Sequence, residues 1–189
     1  MIAEIPYNVI HKNAMSNNLS CAKRIVSAIH KAGRLMVPMS LILFLGCSKI
    51  PSDAKLKELF YAHRDDFNKL VQMSEQDVRV VRIDFDFNIM DTDSGPQKNV
   101  GLSPERWQEY RVLFQKLGLK GGLERPENTR STILFYAQCE GSAVDGDCKG
   151  IAYSNKPVAP TQNSLDSMPR DGTFYVPLSP SWYLFRWVS

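Results

Sequence analysis

The sequence lacks most of the patterns that identify enzymes. Of its three histidines, only His63 follows Cys47. It contains no G-x-S-x-G motif, and no histidine or second cysteine pair stands at the spacing of a zinc site. Gly118, Gly121 and Gly122 follow a helical pattern instead of opening one, so they predict no phosphate-binding loop. The sequence therefore predicts no catalytic residue, no metal and no cofactor.

An excess of positive charge is also missing from most of the chain. From Cys47 onward there are 18 basic and 19 acidic residues, whereas residues 1–34 carry five basic residues and one acid. The later part contains no cluster of lysine and arginine. A surface without excess positive charge does not attract the phosphate backbone, so the composition argues against a nucleic-acid partner.

No hydrophobic run is long enough to cross a bilayer as a helix. The longest, residues 35–47, has about 13 residues, and a membrane span needs about 20. Its length fits the hydrophobic region of a secretory signal peptide, and Lys31 and Arg34 supply the preceding positive charge. We expect residues 1–46 to be a leader and residues 47–189 to form one domain in the cell envelope.

The end of this run, Phe44-Leu45-Gly46-Cys47, resembles the lipobox of bacterial lipoprotein precursors. The resemblance implies that the Cys47 thiol receives a diacylglyceryl group, that a signal peptidase cuts before Cys47, and that the new amine is acylated, for example with palmitate. A single acyl chain binds a membrane only marginally, so several chains make a stable anchor. Because Ser48 is not the aspartate that retains lipoproteins in the inner membrane, the resemblance implies the outer membrane, facing the periplasm.

Three alternatives to this interpretation stay open. A lipoprotein leader is normally shorter than 46 residues, so residues 1–30 raise the question of whether Met15 or another upstream codon is the true start. The run is also compatible with an uncleaved N-terminal anchor that follows a cytoplasmic tail. Finally, it is compatible with a buried strand that ends at an incidental cysteine.

The pattern after Cys47 predicts an α+β fold of two amphipathic helices packed on a mainly antiparallel sheet, preceded by the signal segment. Ser52 or Asp53 can cap the first helix, over residues 53–74, and Ser103 can cap the second, which Gly118 would end. Alternating or apolar runs predict strands, with an irregular connection over residues 155–172. The predicted strands cover residues 78–89, 132–137, 151–153, 174–176 and 182–188.

Two segments of this domain, Leu102–Leu119 and Trp182–Trp187, are similar to small uncharacterised lipoproteins of Gram-negative bacteria. This resemblance implies the same class of lipid-anchored protein and assigns no activity or site. We expect the membrane, through the lipid anchor, and an envelope protein as partners.

Cys139 and Cys148 flank a stretch of eight residues between two predicted strands. Export would place them in an oxidising compartment, where they could form a disulfide. The alternative is a pair of reduced cysteines that do not meet.

Asp84 and Asp86 alternate on one predicted strand face, and Asp91 and Asp93 follow. Paired carboxylates can act as acid and base in glycoside cleavage, so an envelope hydrolase that uses Asp84 and Asp86 is the alternative function. Clustering of these carboxylates with His63 in one pocket would favour it. A strand with one solvent-exposed face would show the same alternation of aspartates without any catalytic role. The stretch 91–95 is out of register for a calcium loop, and Asp145-Gly-Asp147 is typical of a turn.

Aromatic residues are concentrated near the C-terminal end of the sequence. Exposed aromatics suit contacts with partners or glycans, whereas buried ones form core and cross-strand pairs. Either role fits the six residues Phe174, Tyr175, Trp182, Tyr183, Phe185 and Trp187.

Overall fold

The computed structural model describes residues 50–92, 95–126, 130–141, 146–167 and 171–189. The described residues between positions 50 and 140 and between positions 146 and 189 belong to one compact unit. The predicted leader and Cys47 lie outside the described residues. The helices are α1 (Asp53–Ala62), α2 (Arg64–Gln76) and α3 (Pro104–Leu117). The strands are β1 (Val80–Ile83), β2 (Asn88–Thr92), β3 (Gly95–Lys98), β4 (Leu123–Glu124), β5 (Thr132–Gly141), β6 (Gly146–Ser154), β7 (Gly172–Ser179) and β8 (Trp182–Val188).

The helix predicted over residues 53–74 is two helices, α1 and α2, and this part of the prediction was wrong. His63 breaks it, with φ −128° and ψ 28°, and its N–H closes the last turn of α1 on the carbonyls of Leu59 and Phe60. Acidic residues Asp65 and Asp66 then occupy the first turn of α2, where the helix dipole favours negative charge. An apolar stripe continues through the break, so the sequence period alone did not reveal it.

Helix α3 has the ends that the sequence predicted. The hydroxyl oxygen of Ser103 accepts a hydrogen bond from the N–H of Arg106 at 3.2 Å, and Pro104 occupies the first turn. Gly118 adopts a left-handed conformation with φ 64° and ends the helix.

The eight strands form one sheet in the order β3-β2-β1-β4-β5-β6-β8-β7. The strand predicted over residues 78–89 is instead the β1–β2 hairpin, so that prediction was wrong as well. Asp84 stabilises the turn between β1 and β2 with two hydrogen bonds. Its N–H donates to the carbonyl of Phe87 at 2.8 Å, and its Oδ1 accepts from the N–H of Phe85 at 2.7 Å. Apolar and polar residues keep alternating through this turn, which is why the pattern resembled one strand.

The three helices cover one face of the sheet, which gives the α+β architecture. Alternate strand residues point to the helices, as Phe135 of β5, Ile151 of β6 and Leu184 of β8 do in the main core. The intervening residues form a second cluster on the other face. This second cluster contains Leu134, Tyr136, Cys148, Ala152, Tyr175 and Phe185.

The connection after β6 is irregular, as predicted, in its described part. It lies beside β7, where Thr161 forms a parallel bridge with Tyr175. The N–H of Tyr175 donates to the carbonyl of Pro160 at 3.1 Å, and the N–H of Gln162 donates to the carbonyl of Tyr175 at 2.7 Å. Among the residues that the structure describes, no helix has the length and apolar character needed to cross a membrane.

Candidate functional site

The lipobox residues Phe44 to Cys47 lie outside the described residues, as do Asp93 and Asp145. The lipidation of Cys47 therefore remains a prediction from the sequence.

Cys139 of β5 and Cys148 of β6 lie at disulfide distance. Their sulfur atoms are 2.10 Å apart and their Cα atoms 4.1 Å apart. The two strands are neighbours in the sheet, so the bond links adjacent strands. The cysteines expected to pair are therefore brought together.

Removal of this bond tests its contribution to stability. We expect the double variant Cys139→Ser/Cys148→Ser to lose about 2–3 kcal/mol of unfolding free energy, because the short closed loop restricts the unfolded chain. Urea unfolding of the wild-type protein with and without reductant should give the same difference. The double variant is the control, since reductant should leave its midpoint unchanged. Equal midpoints for oxidised and reduced wild type would contradict the prediction.

The structure does not gather Asp84, Asp86 and His63 into one cavity of the described part. Asp84 and Asp86 lie in the turn between β1 and β2, and Asp86 is exposed. Asp84 accepts a hydrogen bond from the guanidinium of Arg82 at 3.2 Å. His63 lies at the α1–α2 break, where its Nδ1 is 3.2 Å from a carboxylate oxygen of Asp66.

Arg82 links several residues through its guanidinium, which also donates to the carbonyl of Gly121 at 2.7 Å. It donates to Glu124 at 2.7 Å, and its guanidinium lies 4.5 Å from the centre of the Tyr136 ring. Burial acts to lower the pKa of Arg82, but the neighbouring Glu124, Tyr136 and Asp84 outweigh it, so the pKa is raised. Arg82 therefore stays charged, and Asp84 keeps it as an ion-pair partner.

Two of the other aspartates singled out in the sequence, Asp91 and Asp147, lie in the described part and also have cationic partners. Asp91 pairs with Arg130, and Asp147 accepts two hydrogen bonds from Arg186, at 2.9 and 2.7 Å. Within the described part of the chain, no three His, Cys, Asp or Glu residues are grouped as metal ligands would be.

Most of the C-terminal aromatics pack within the protein. Trp182, Tyr175 and Phe185 are buried, and Trp182 contacts the rings of Phe60 and Phe135 at centroid distances of 5.0 and 6.1 Å. Phe174, Tyr183 and Trp187 are half-buried. The sheet thus uses these residues chiefly as core, and the partner surface expected as one alternative is not a continuous exposed platform.

A buried lysine is the polar feature that the sequence did not reveal. Lys149 of β6 is 1% exposed, and its Nζ lies 2.8 Å from Oδ1 of Asp53 and 2.6 Å from Oδ1 of Asp166. The contact with Asp53 is a short ionic one without the alignment of a hydrogen bond. This cation therefore links β6 to the start of α1 and to the irregular connection.

Asp53 has two further partners in that connection. Its Oδ2 accepts hydrogen bonds from the hydroxyl of Ser164 and from the N–H of Leu165, both at 2.8 Å. Burial acts to raise the pKa of Asp53, but Lys149 and these two donors outweigh it and hold the pKa below its ordinary value. The sequence indicated only a helix cap at this position, because its partners are more than 90 residues away in the chain.

A cavity of about 300 Å³ lies where β5, β6 and β7 meet the start of the irregular connection. Thr132 and Ser154 contribute hydroxyls that are 3.2 Å apart. Backbone atoms of Lys156 bond to the Ser154 hydroxyl at 2.8 and 3.3 Å, which fixes the connection at this point. The described lining comprises Ser131, Thr132, Ser154, Lys156, Pro157, Val158, Ala159 and Tyr175. No sequence motif marked these residues.

No family model, curated protein or solved structure matches this chain.

Proposed function

We propose that this chain is a lipid-anchored protein of the bacterial cell envelope, whose α+β domain acts as a binding or structural module. The observation that carries the proposal is the order of features in residues 31–47: positive charge at Lys31 and Arg34, an apolar run too short to span a bilayer, and then Gly46-Cys47.

The disulfide pair agrees with export. Cys139 and Cys148 lie at bonding distance, and such bonds persist in oxidising compartments such as the periplasm. The pair supports an extracytoplasmic location and is independent of the leader.

The start of the domain agrees with a tether at Cys47. Helix α1 begins at Asp53, so only residues 48–52 separate it from the proposed lipid. Five residues extend at most about 17 Å. Attached in this way, the domain would stay close to the membrane surface, where it could engage an envelope partner.

A binding or structural role is preferred to hydrolysis because Asp84 already has other contacts and Asp86 lies exposed in a turn. Asp84 shapes a turn and accepts from Arg82, and His63 contacts Asp66 at a helix break. In the described part of the chain, Asp84, Asp86 and His63 do not line one cavity in which one group could act as acid and another as base.

The anchor is tested by the intact mass of protein extracted from membranes. We expect residues 47–189 plus acyl chains, because cleavage before Cys47 removes the leader. Cys47→Ser should abolish this product, because the thiol that carries the lipid is gone. Cys21→Ser is the matched control, since Cys21 lies in the leader and its loss should leave the mature mass unchanged.

A full-length mass without lipid would overturn the proposal and favour the uncleaved anchor. Separation of inner from outer membranes tests the finer location. We propose the outer membrane, so recovery of the lipidated protein in the inner-membrane fraction would contradict that location alone.

A further inference from the structure

The cavity between β5, β6, β7 and the irregular connection carries an unbalanced positive charge. Lys156 is the charged residue of its described lining, and no described lining residue is acidic. Lys156 has no ion pair among the described residues, unlike Lys149, which contacts two carboxylates. A ligand that fills this cavity therefore gains from a negative charge placed near Lys156.

Tyr175 adds a directed polar group. Its side chain is 7% exposed and lines the cavity, yet its hydroxyl has no hydrogen-bond partner in the described part of the chain. Ser131 adds a second hydroxyl to the lining, whereas those of Thr132 and Ser154 already bond to each other and to the backbone of Lys156. The cavity thus offers the hydroxyls of Tyr175 and Ser131, each of which can both donate and accept.

The remaining walls are apolar and are held in place. Pro157, Val158 and Ala159 form one side, and Val158 packs against the second core cluster. The bonds between Ser154 and Lys156 fix the connection at one end, and the bridge between Thr161 and Tyr175 fixes it further along. A preformed cavity loses little entropy when a ligand binds, which favours affinity.

We propose that this cavity binds a small monocarboxylate with a hydroxylated body, of the size and chemistry of a sugar acid. The carboxylate would face Lys156, and the ligand hydroxyls would meet the hydroxyls of Tyr175 and Ser131. The cavity volume lies at the lower end of the range for small-molecule sites. A phosphate fits less well, because it carries up to two charges and the described lining offers one cation, no arginine and no helix N-terminus.

This inference rests on the binding role within the proposed function and does not depend on the lipid anchor. It deepens that role by naming the chemical class of the ligand. The test uses the full chain, purified from whichever fraction contains it, so that failure of the anchor and failure of the cavity give separate results.

The probe is D-glucuronate, titrated into the ¹⁵N-labelled protein and followed by amide chemical shifts. We expect saturable shifts at residues 154–159 and at Tyr175. A compound with about 13 non-hydrogen atoms and ordinary ligand efficiency should have a dissociation constant of about 1 mM. D-glucose, which lacks the carboxylate, should bind about tenfold more weakly.

Two variants locate the interaction. Lys156→Met should weaken glucuronate binding about tenfold, and Tyr175→Phe should weaken it several-fold, since each loses one polar contact. Lys120→Met and Tyr61→Phe are the matched controls, because both residues are exposed and neither lines the cavity. These controls should bind glucuronate as the wild type does. Unchanged spectra elsewhere will show that the variants remain folded.

Four results would overturn the proposal. The first is an absence of saturable shifts at a glucuronate concentration tenfold above the expected dissociation constant, and the second is a set of shifts confined to other parts of the protein. The third is equally tight binding of glucose, and the fourth is an unchanged affinity of Lys156→Met for glucuronate. Inorganic phosphate is titrated in parallel. If phosphate binds as tightly as glucuronate and at the same residues, the assignment to a carboxylate is wrong.

Discussion

Replacement of Lys149 by methionine is expected to lower the free energy of unfolding by about 3–5 kcal/mol, as is typical when one partner of a buried ion pair is removed. Lys149 is 1% exposed and the Asp53 side chain 9%. Without the ammonium, the carboxylate of Asp53 stays in a poorly solvated position. Asp166 contributes less to the loss, because its side chain is 49% exposed and water can solvate it. Urea unfolding monitored by tryptophan fluorescence measures the difference.

The matched control is Lys116→Met. Lys116 also lies 2.8 Å from a carboxylate oxygen, that of Asp66, but its side chain is 55% exposed. Exposed pairs contribute about 0–1 kcal/mol, so this variant should be nearly as stable as the wild type. Similar losses in the two variants would contradict the importance of burial at Lys149.

A double variant and acid unfolding separate charge from packing. The double variant Lys149→Met/Asp53→Asn should lose less free energy of unfolding than the two single variants lose together, because it leaves no buried charge without a partner. The folded-state pKa of Asp53 lies below its ordinary 3.8, so its stabilising effect is present at neutral pH and is lost as pH falls through the folded-state pKa. The wild type should therefore lose stability below about pH 4 more steeply than Lys149→Met. Parallel acid profiles would argue that the pair contributes only packing.

Gly150→Ala is expected to destabilise the protein by about 3 kcal/mol, at the upper end of the usual range for overpacking. A Cβ at this position would lie 2.0 Å from the backbone carbonyl oxygen of Phe135 and 2.9 Å from the ring of Phe185. A flexible side chain could move aside, but the carbonyl belongs to the neighbouring strand β5. The pairing of β5 with β6 must therefore shift. Chemical unfolding measures the loss, and failure to obtain folded protein is the extreme of the same outcome.

Gly118→Ala provides the comparison, since it adds the same methyl group elsewhere. A Cβ at Gly118 meets no atom within 4 Å, so the variant has only the strain of a left-handed φ of 64°. That strain costs about 1–2 kcal/mol. If Gly150→Ala were no less stable than Gly118→Ala, close approach of the strands would not be the reason for glycine at position 150.

Local signals in the sequence predicted the elements whose causes are local. Ser103, Pro104 and Gly118 lie within or beside one helix, and each acts on the backbone within a few residues. The cysteine spacing likewise reflects two strands joined by a short connection. The break at His63 and the reversal at Asp84 were missed because the apolar period continues through both.

The buried ion pair and the cavity could not be predicted, for a different reason. Asp53 and Lys149 are brought together by the packing of α1 against β6, and Asp53 looked like an ordinary residue at a helix start. The cavity combines residues from three strands and a connection, each unremarkable in sequence. Such sites depend on strand order, which the local pattern does not contain.

The strand order also bears on when the chain can fold. The last strand in sequence, β8, lies between β6 and β7, and its Trp182 and Leu184 belong to the main core. Until that segment arrives, β6 and β7 lack the neighbour that joins them. In a nascent chain, this part of the sheet can therefore close only after β8 has emerged, so the assembly of β6 and β7 waits for a later segment.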